Sequence, residues 1–263
     1  MRYGMCVGFD DFDKIKTVAQ IGYDYCEFGF QPIARASDEE IDKIKAVLDE
    51  CNIKCESTNC FLPSEYNVSA GLKDEAEVAK FIEEGMRKGK KLGLEVCVFG
   101  SGGAKRIPEG VSYVTAFNRL TDFLKNIAGP IAEKYGITIC IEPLCKKEVN
   151  IINTVKEGAM LAAASRSNAV ADLADLYHMV EEGDTYQDIL DVGEILKHAH
   201  ISNPSPVNPD LKRAYPVSAD EYDYKGFIDT LEAIGCPRCS VEAKLEGDFK
   251  EACEKTFKVL KSL

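Results

Sequence analysis

No apolar run in these 263 residues approaches the roughly 20 that a membrane-spanning helix requires. Nor is a secretory leader expected. The opening MRYGMCVGFDDFDKIK turns acidic directly after a short apolar run, without a longer apolar core or a small-residue cleavage site. The expected location is therefore the cytoplasm. Positive charge is in deficit: 32 lysines and arginines face 44 aspartates and glutamates, a net charge of −12. That balance repels phosphate backbones and anionic lipid heads, so neither nucleic-acid nor membrane partners are expected. The longest basic run, Arg87–Lys91, falls late in a helical stretch, where cations suit the negative end of the helix dipole.

Two further absences narrow the chemistry. Eleven cysteines include a single C-x-x-C, Cys236-Pro-Arg-Cys239, with no second pair at zinc-ribbon spacing and no redox-motif context. Cys6, Cys26, Cys97 and Cys140 lie inside apolar strand-like runs, where a thiol acts as a small hydrophobe. Reduced thiols are the expectation. The turn after the first strand, Val7-Gly8-Phe9-Asp10-Asp11-Phe12, carries no glycine-rich phosphate loop, which argues against an open doubly wound sheet.

What the chain does contain is ordinary globular composition, 45% apolar and 29% charged, arranged as alternating strand-like and helical runs. Strands are predicted at Arg2–Val7, Tyr23–Phe28, Ile53–Cys60, Leu94–Phe99, Ile137–Ile141, Ala169–Ala174, Ala199–Ser202 and Arg238–Val241. Helices are predicted at Asp38–Cys51, Asp74–Leu92, Tyr113–Tyr135, Thr154–Ala164, Tyr224–Ile234 and Phe249–Leu260. Period 3.6 sets Ile41, Ile44, Val47 and Leu48 on one helix face, and Phe117, Leu120, Phe123, Leu124 and Ile127 on another. Gly22, Gly93, Gly136 and Gly235 stand where a left-handed residue would stop a helix and turn the chain into the next strand. Eight strand–helix units in about 250 residues predict a (β/α)8 barrel. With no linker or low-complexity tract, residues 1–263 are expected to form a single domain.

In such barrels the working side chains sit at the C-terminal ends of the strands. Strand 5 runs Thr138-Ile139-Cys140-Ile141-Glu142, strand 6 reaches Asp175, strand 7 contains His198-Ala199-His200, and strand 8 ends Ser240-Val241-Glu242. Alternation puts Ile139, Ile141 and Val241 toward the helices, and Cys140, Glu142, Ser240 and Glu242 toward the barrel axis. One acidic strand end is commonly a helix cap, and one barrel histidine a core residue. Four ligand-type residues on consecutive strands argue for a joint role. Three carboxylates converging on one axis would be costly to bury. A divalent ion held by Glu142, Asp175, His200 and Glu242 removes most of that cost. Oxygen donors with one imidazole suit manganese, magnesium or cobalt, with zinc as a further option.

These motifs resemble the xylose-isomerase-like sugar isomerase/epimerase barrels. Glu142-Pro143-Leu144, then Glu148 and Asn150-Ile151-Ile152-Asn153-Thr154, is similar to that family's strand-5 segment. Asp175-Leu176-Tyr177-His178-Met179 resembles its D-x-x-H-M element. His200-Ile201-Ser202 and Ser240-Val241-Glu242-Ala243 resemble its strand-7 and strand-8 signatures. Arg213-Ala214-Tyr215-Pro216 with Asp223-Tyr224 and Phe227, and Phe99-Gly100-Ser101-Gly102-Gly103 with Arg106 and Pro108, extend the likeness along the whole chain.

The resemblance implies one divalent ion, manganese foremost, on Glu142, Asp175, His200 and Glu242. It implies Glu142 and Glu242 as the proton-transfer pair of a ketose 3-epimerase acting through a cis-enediolate. It also implies Glu148, His178 and Arg213 as substrate-binding residues, a small sugar or cyclitol as substrate, and a homodimer or homotetramer as the assembly. An inosose dehydratase or keto-inositol isomerase would use the same ligands, and a catalytically silent sugar-binding barrel is the alternative outside catalysis. The trinuclear-zinc AP endonucleases of this fold need histidines on earlier strands, and this chain has only His178, His198 and His200. His198 reads as a core or supporting residue one layer below His200.

Two departures stand out. Cys145 occupies a place near which the epimerase-like pattern usually has asparagine, and Asn203-Pro204-Ser205-Pro206 replaces the aspartate common after strand 7. The loop Asn203–Pro216, with four prolines, is the expected lid or specificity element, and its length puts the reach of Arg213 in question. Lys105-Arg106 beside Gly102-Gly103 is the one candidate handle for a substrate phosphate.

Overall fold

The computed structural model describes residues 1–205 and 207–263, so Pro206 of the four-proline loop lies outside the described residues. Eight parallel strands close into a barrel in chain order: β1 (Arg2–Cys6), β2 (Tyr25–Gly29), β3 (Cys55–Asn59), β4 (Val96–Phe99), β5 (Thr138–Ile141), β6 (Val170–Asp175), β7 (Leu196–Ile201) and β8 (Arg238–Val241). The register from β1 to β8, Arg2 beside Arg238 through Met5 beside Val241, completes the ring. Helices cover the outside, and among the described residues none is long and apolar enough to cross a membrane.

Side-chain parity sorts the two apolar layers. Ile139, Ile141 and Val241 pack outward with the helices, whereas Val96, Val98, Cys140, Ala171 and Leu173 form a separate inner cluster. The inward parity of β5 and β8 is thus as the alternation predicts. Ile41, Ile44 and Leu48 are buried on the helix Asp38–Glu50, with Val47 packed at the margin. All four predicted helix-stopping glycines have positive φ, from 61° at Gly136 to 108° at Gly22.

Four strand starts and one helix differ instructively from the sequence pattern. β2, β3 and β4 each begin two residues later than predicted, because the preceding apolar residues (Tyr23, Ile53, Leu94) pack under the helices before strand pairing starts. β7 begins three residues earlier, at Leu196, since the barrel interior accepts the polar His198 as an inward residue. The predicted helix Tyr113–Tyr135 is helical throughout but contains a π-turn at Leu124–Ala128, where the N–H of Gly129 reaches back to the carbonyl of Leu124. Pro130 has no N–H to continue the regular ladder, which accounts for the break.

Gly4 shows how the barrel floor is shaped. A Cβ there would lie 2.1 Å from Cε2 of Tyr25, so only glycine lets this fully buried ring enter the interior.

Candidate active site

The C-terminal ends of β5 to β8 carry Glu142, Asp175, His200 and Glu242, and one ligand atom from each lies within 4.8 Å of all the others. Nδ1 of His200 is the centre of the group: it stands 3.1 Å from Glu142 Oε1, 3.2 Å from Glu242 Oε2 and 3.6 Å from Asp175 Oδ2. His200 is fully buried, Glu142 and Asp175 nearly so, and the Glu242 side chain retains 23% exposure toward the mouth. Gly100, just past β4, makes room for Glu142, because a Cβ there would sit 1.9 Å from Oε2. Asp175 also caps the helix Leu176–Glu182 by accepting the N–H of His178 at 3.1 Å. The cap role and the cluster role therefore coexist on its two oxygens.

Beneath the cluster lies a carboxylate that the sequence pattern did not single out. Glu27, fully buried on β2, accepts from His200 Nε2 at 2.9 Å, from His198 Nε2 at 3.0 Å and from Ser240 Oγ at 2.6 Å. A signal was available: Glu27 lies within the largely apolar run Tyr23–Phe28, on the inward parity. Burial would raise the Glu27 carboxyl, but the charge of His200 and the hydrogen bonds of both histidines hold it well below the usual range. Burial would lower His200, yet the charges of Glu27 and Glu242 hold it well above an ordinary imidazole. Asp175 and Glu242 are both lowered despite burial, chiefly by Arg213.

Arg213 does reach the site. The long loop is pinned at its base by paired backbone hydrogen bonds between Asn203 and Ala214, and the Lys244 N–H donates to the Arg213 carbonyl. Its guanidinium donates to Asp175 Oδ2 and, at 2.8 Å, to Glu242 Oε2, while stacking 5.2 Å over the Tyr177 ring. Asn59 at the end of β3, also not anticipated, donates to Glu242 Oε1 at 3.1 Å.

His178 opens its helix and points a free donor at the same time. Its Nδ1 accepts the Cys145 N–H at 3.1 Å, so the proton lies on Nε2, which is buried and without a protein partner among the described residues. Glu148 stands apart from the four-residue cluster on an exposed turn, grouped instead with Cys145 and His178.

The candidate phosphate handle, Lys105-Arg106, has both side chains committed elsewhere. Lys105 is fully buried, and its ammonium donates to the Glu142 carbonyl at 2.5 Å; burial pushes it down to about 8. The Arg106 guanidinium donates to the Glu148 carbonyl. Both cations fix the turns that present the glutamates. A cavity of about 830 Å³ at the opposite end of the barrel contains none of the carboxylate cluster, and its Arg238 pairs with Glu95 at 2.5 Å.

The donor set fits a hard divalent cation: three carboxylates and one imidazole nitrogen converge on one point, in surroundings where unpaired anions are costly. The second nitrogen of the imidazole is already engaged by a carboxylate, as metal-binding histidines require.

Comparison with known proteins agrees with the fold. The family model described as "Xylose isomerase-like TIM barrel" matches residues 15–263. A D-psicose 3-epimerase of Ruminiclostridium cellulolyticum is 28% identical over 194 residues, covering 71% of this chain and 64% of that protein. An L-ribulose 3-epimerase of a Methylomonas species is 34% identical over 236 residues, covering 84% of this chain and 73% of that protein. This chain thus spans just under two thirds of the first relative's length. Among solved structures, D-psicose 3-epimerase from Clostridium cellulolyticum, crystallised with D-tagatose, superposes with a TM-score of 0.84 at 20% identity, covering 100% of this chain and 98% of that one.

Proposed function

From the premise that this chain belongs to the xylose isomerase-like TIM barrel family, we propose that it is a divalent-metal-dependent ketose 3-epimerase. The observation that carries the reading is the position of Glu142 and Glu242 directly after β5 and β8, three strands apart around the ring, each within 3.2 Å of the same imidazole nitrogen. The names of the relatives support the same reaction class.

Inverting a carbon beside a ketone requires removing its proton from one face and returning a proton to the other. Carboxylates on two sides of a bound sugar suit that chemistry. One accepts the C3 proton as the enediolate forms, and the other, protonated, delivers its own to the opposite face. A divalent ion, manganese foremost, on Glu142, Asp175, His200 and Glu242 would supply positive charge to polarise the ketone and offset the enediolate charge. Asn59 and Arg213 hold the two oxygens of Glu242, and Lys105 fixes the backbone carbonyl of Glu142. The unpartnered Nε2–H of His178 is a donor for a substrate oxygen, with Arg213 and Glu148 at the mouth as further contacts. An unphosphorylated ketose is the substrate class favoured, since the side chains of Lys105 and Arg106 are committed to backbone carbonyls.

The test is deuterium exchange. Metal-free and manganese-loaded protein would be incubated with D-fructose, D-tagatose, D-psicose and scyllo-inosose in heavy water and followed by proton NMR. Manganese-dependent exchange at C3 of a ketose, with appearance of its epimer, is expected. Exchange or water loss confined to the inosose would replace the epimerase reading with an inosose dehydratase or keto-inositol isomerase.

A further inference from the structure

We infer that Glu27 is a positioning residue that makes Nδ1 of His200 the metal-donating nitrogen, and that the barrel floor is built to hold it there. The inference rests on the reading that His200 ligates a divalent ion. Neutral imidazole carries its single proton on one nitrogen, and only the other offers a lone pair to a cation. Nδ1 of His200 looks up at three carboxylate oxygens between 3.1 and 3.6 Å away. Nε2 looks down at Glu27 Oε1, 2.9 Å away. An ionised carboxylate only accepts hydrogen bonds, so it keeps the proton on Nε2 and leaves Nδ1 bare whenever the ring is neutral. Its negative charge also strengthens the ring as a donor.

The carboxylate is held as well as buried. Its Oε2 takes the hydroxyl proton of Ser240 at 2.6 Å and Nε2–H of His198 at 3.0 Å. Having given its proton to Glu27, Ser240 must accept from the Tyr25 hydroxyl, 2.9 Å away. Tyr25 in turn occupies the space left by the missing Cβ of Gly4. A continuous hydrogen-bonded chain therefore runs from Tyr25 through Ser240 and Glu27 to Nε2 of the ligand imidazole. His198, conspicuous in the sequence, serves the carboxylate; its ring lies edge-on to that of His200, 5.2 Å between centroids, but it is not one of the four clustered ligands.

The experiment compares manganese affinity of wild type and Glu27→Gln, by competition with a chelator, and assigns the His200 ring protons by nitrogen-15 NMR in zinc-loaded protein. The amide keeps the shape but loses the charge and half of the accepting capacity, so affinity is expected to fall about 10- to 100-fold. The wild-type spectrum should show the proton on Nε2 of His200 with Nδ1 metal-bound. Should Glu27→Gln not fold, Ser240→Ala, which removes one donor to the carboxylate, should weaken affinity in the same direction by a smaller factor. Wild-type affinity in the folded variant, or a proton on Nδ1 of His200, overturns the inference while leaving the metal reading intact. A wild-type protein that binds no manganese or zinc overturns both.

Discussion

Replacing Gly100 by alanine is the most incisive perturbation of this site. The backbone of Gly100 is not in the left-handed region, and the three nearest atoms to an added Cβ all belong to Glu142: Oε2 at 1.9 Å, Cδ at 3.1 Å and Cβ at 3.8 Å. Ordinary contact for a carbon is about 3.5 Å, so the carboxylate must withdraw by ~1.5 Å. The end of a glutamate side chain yields more readily than backbone, so the fold is expected to persist and the displacement to fall on the carboxylate alone. Misplacement of a reacting group by about 1 Å costs on the order of 100-fold in rate. Interconversion of D-fructose and D-psicose by Gly100→Ala, measured at saturating manganese, should therefore drop by about two orders of magnitude, while the thermal transition by circular dichroism stays within a few degrees. An unchanged rate in a folded variant would refute the claim that Glu142 needs this position. Global unfolding would refute the claim that the side chain, and not the barrel, absorbs the contact.

Other expectations follow from the same geometry. Glu142→Gln and Glu242→Gln should each cut deuterium exchange at C3 by at least about 100-fold, since general acid–base catalysis contributes that much, and exchange above a tenth of wild type would remove the residue from proton transfer. Gly4→Ala forces a Cβ to 2.1 Å from a ring that is fully buried and tied at its hydroxyl, so urea unfolding should show a loss toward the upper end of the about 1–3 kcal/mol typical of overpacking. Lys105 gives a pH signature. Burial brings its folded value to about 8 from 10.5. Between those values the unfolded chain binds the extra proton, so this group makes stability rise with pH across that window and gives no slope below it. The stability of wild type relative to Lys105→Met, from urea titrations at pH 7.5 and 10.5, should increase by on the order of 3 kcal/mol, and a flat difference would mean that Lys105 titrates normally.

Local pattern carried much of this protein. Strand alternation alone places Cys140, Glu142, Ser240 and Glu242 inward, because a period of two leaves each residue only two directions. Glycines after helical runs mark the turns, because few other residues take a left-handed backbone without cost. The partners of Glu27 and Asn59 are not legible in this way: parity can mark Glu27 as inward, but the significance of a polar residue inside a strand depends on what faces it across the barrel, and β2 and β3 are far from β7 and β8 in sequence. Lys105 and Arg106 resemble anion handles for the same reason: their partners are backbone carbonyls of Glu142 and Glu148, which sequence does not reveal.

What the sequence determined by itself is the alternating (β/α)8 plan and the ends of the strands that hold Glu142, Asp175, His200 and Glu242, since both depend on residue type and short-range period. Tertiary structure decided which nitrogen of His200 faces those carboxylates, whether Arg213 returns from a long loop to meet Asp175 and Glu242, and which cations are already occupied. Those outcomes turn on hydrogen-bond distances between strands brought together only by closure of the ring.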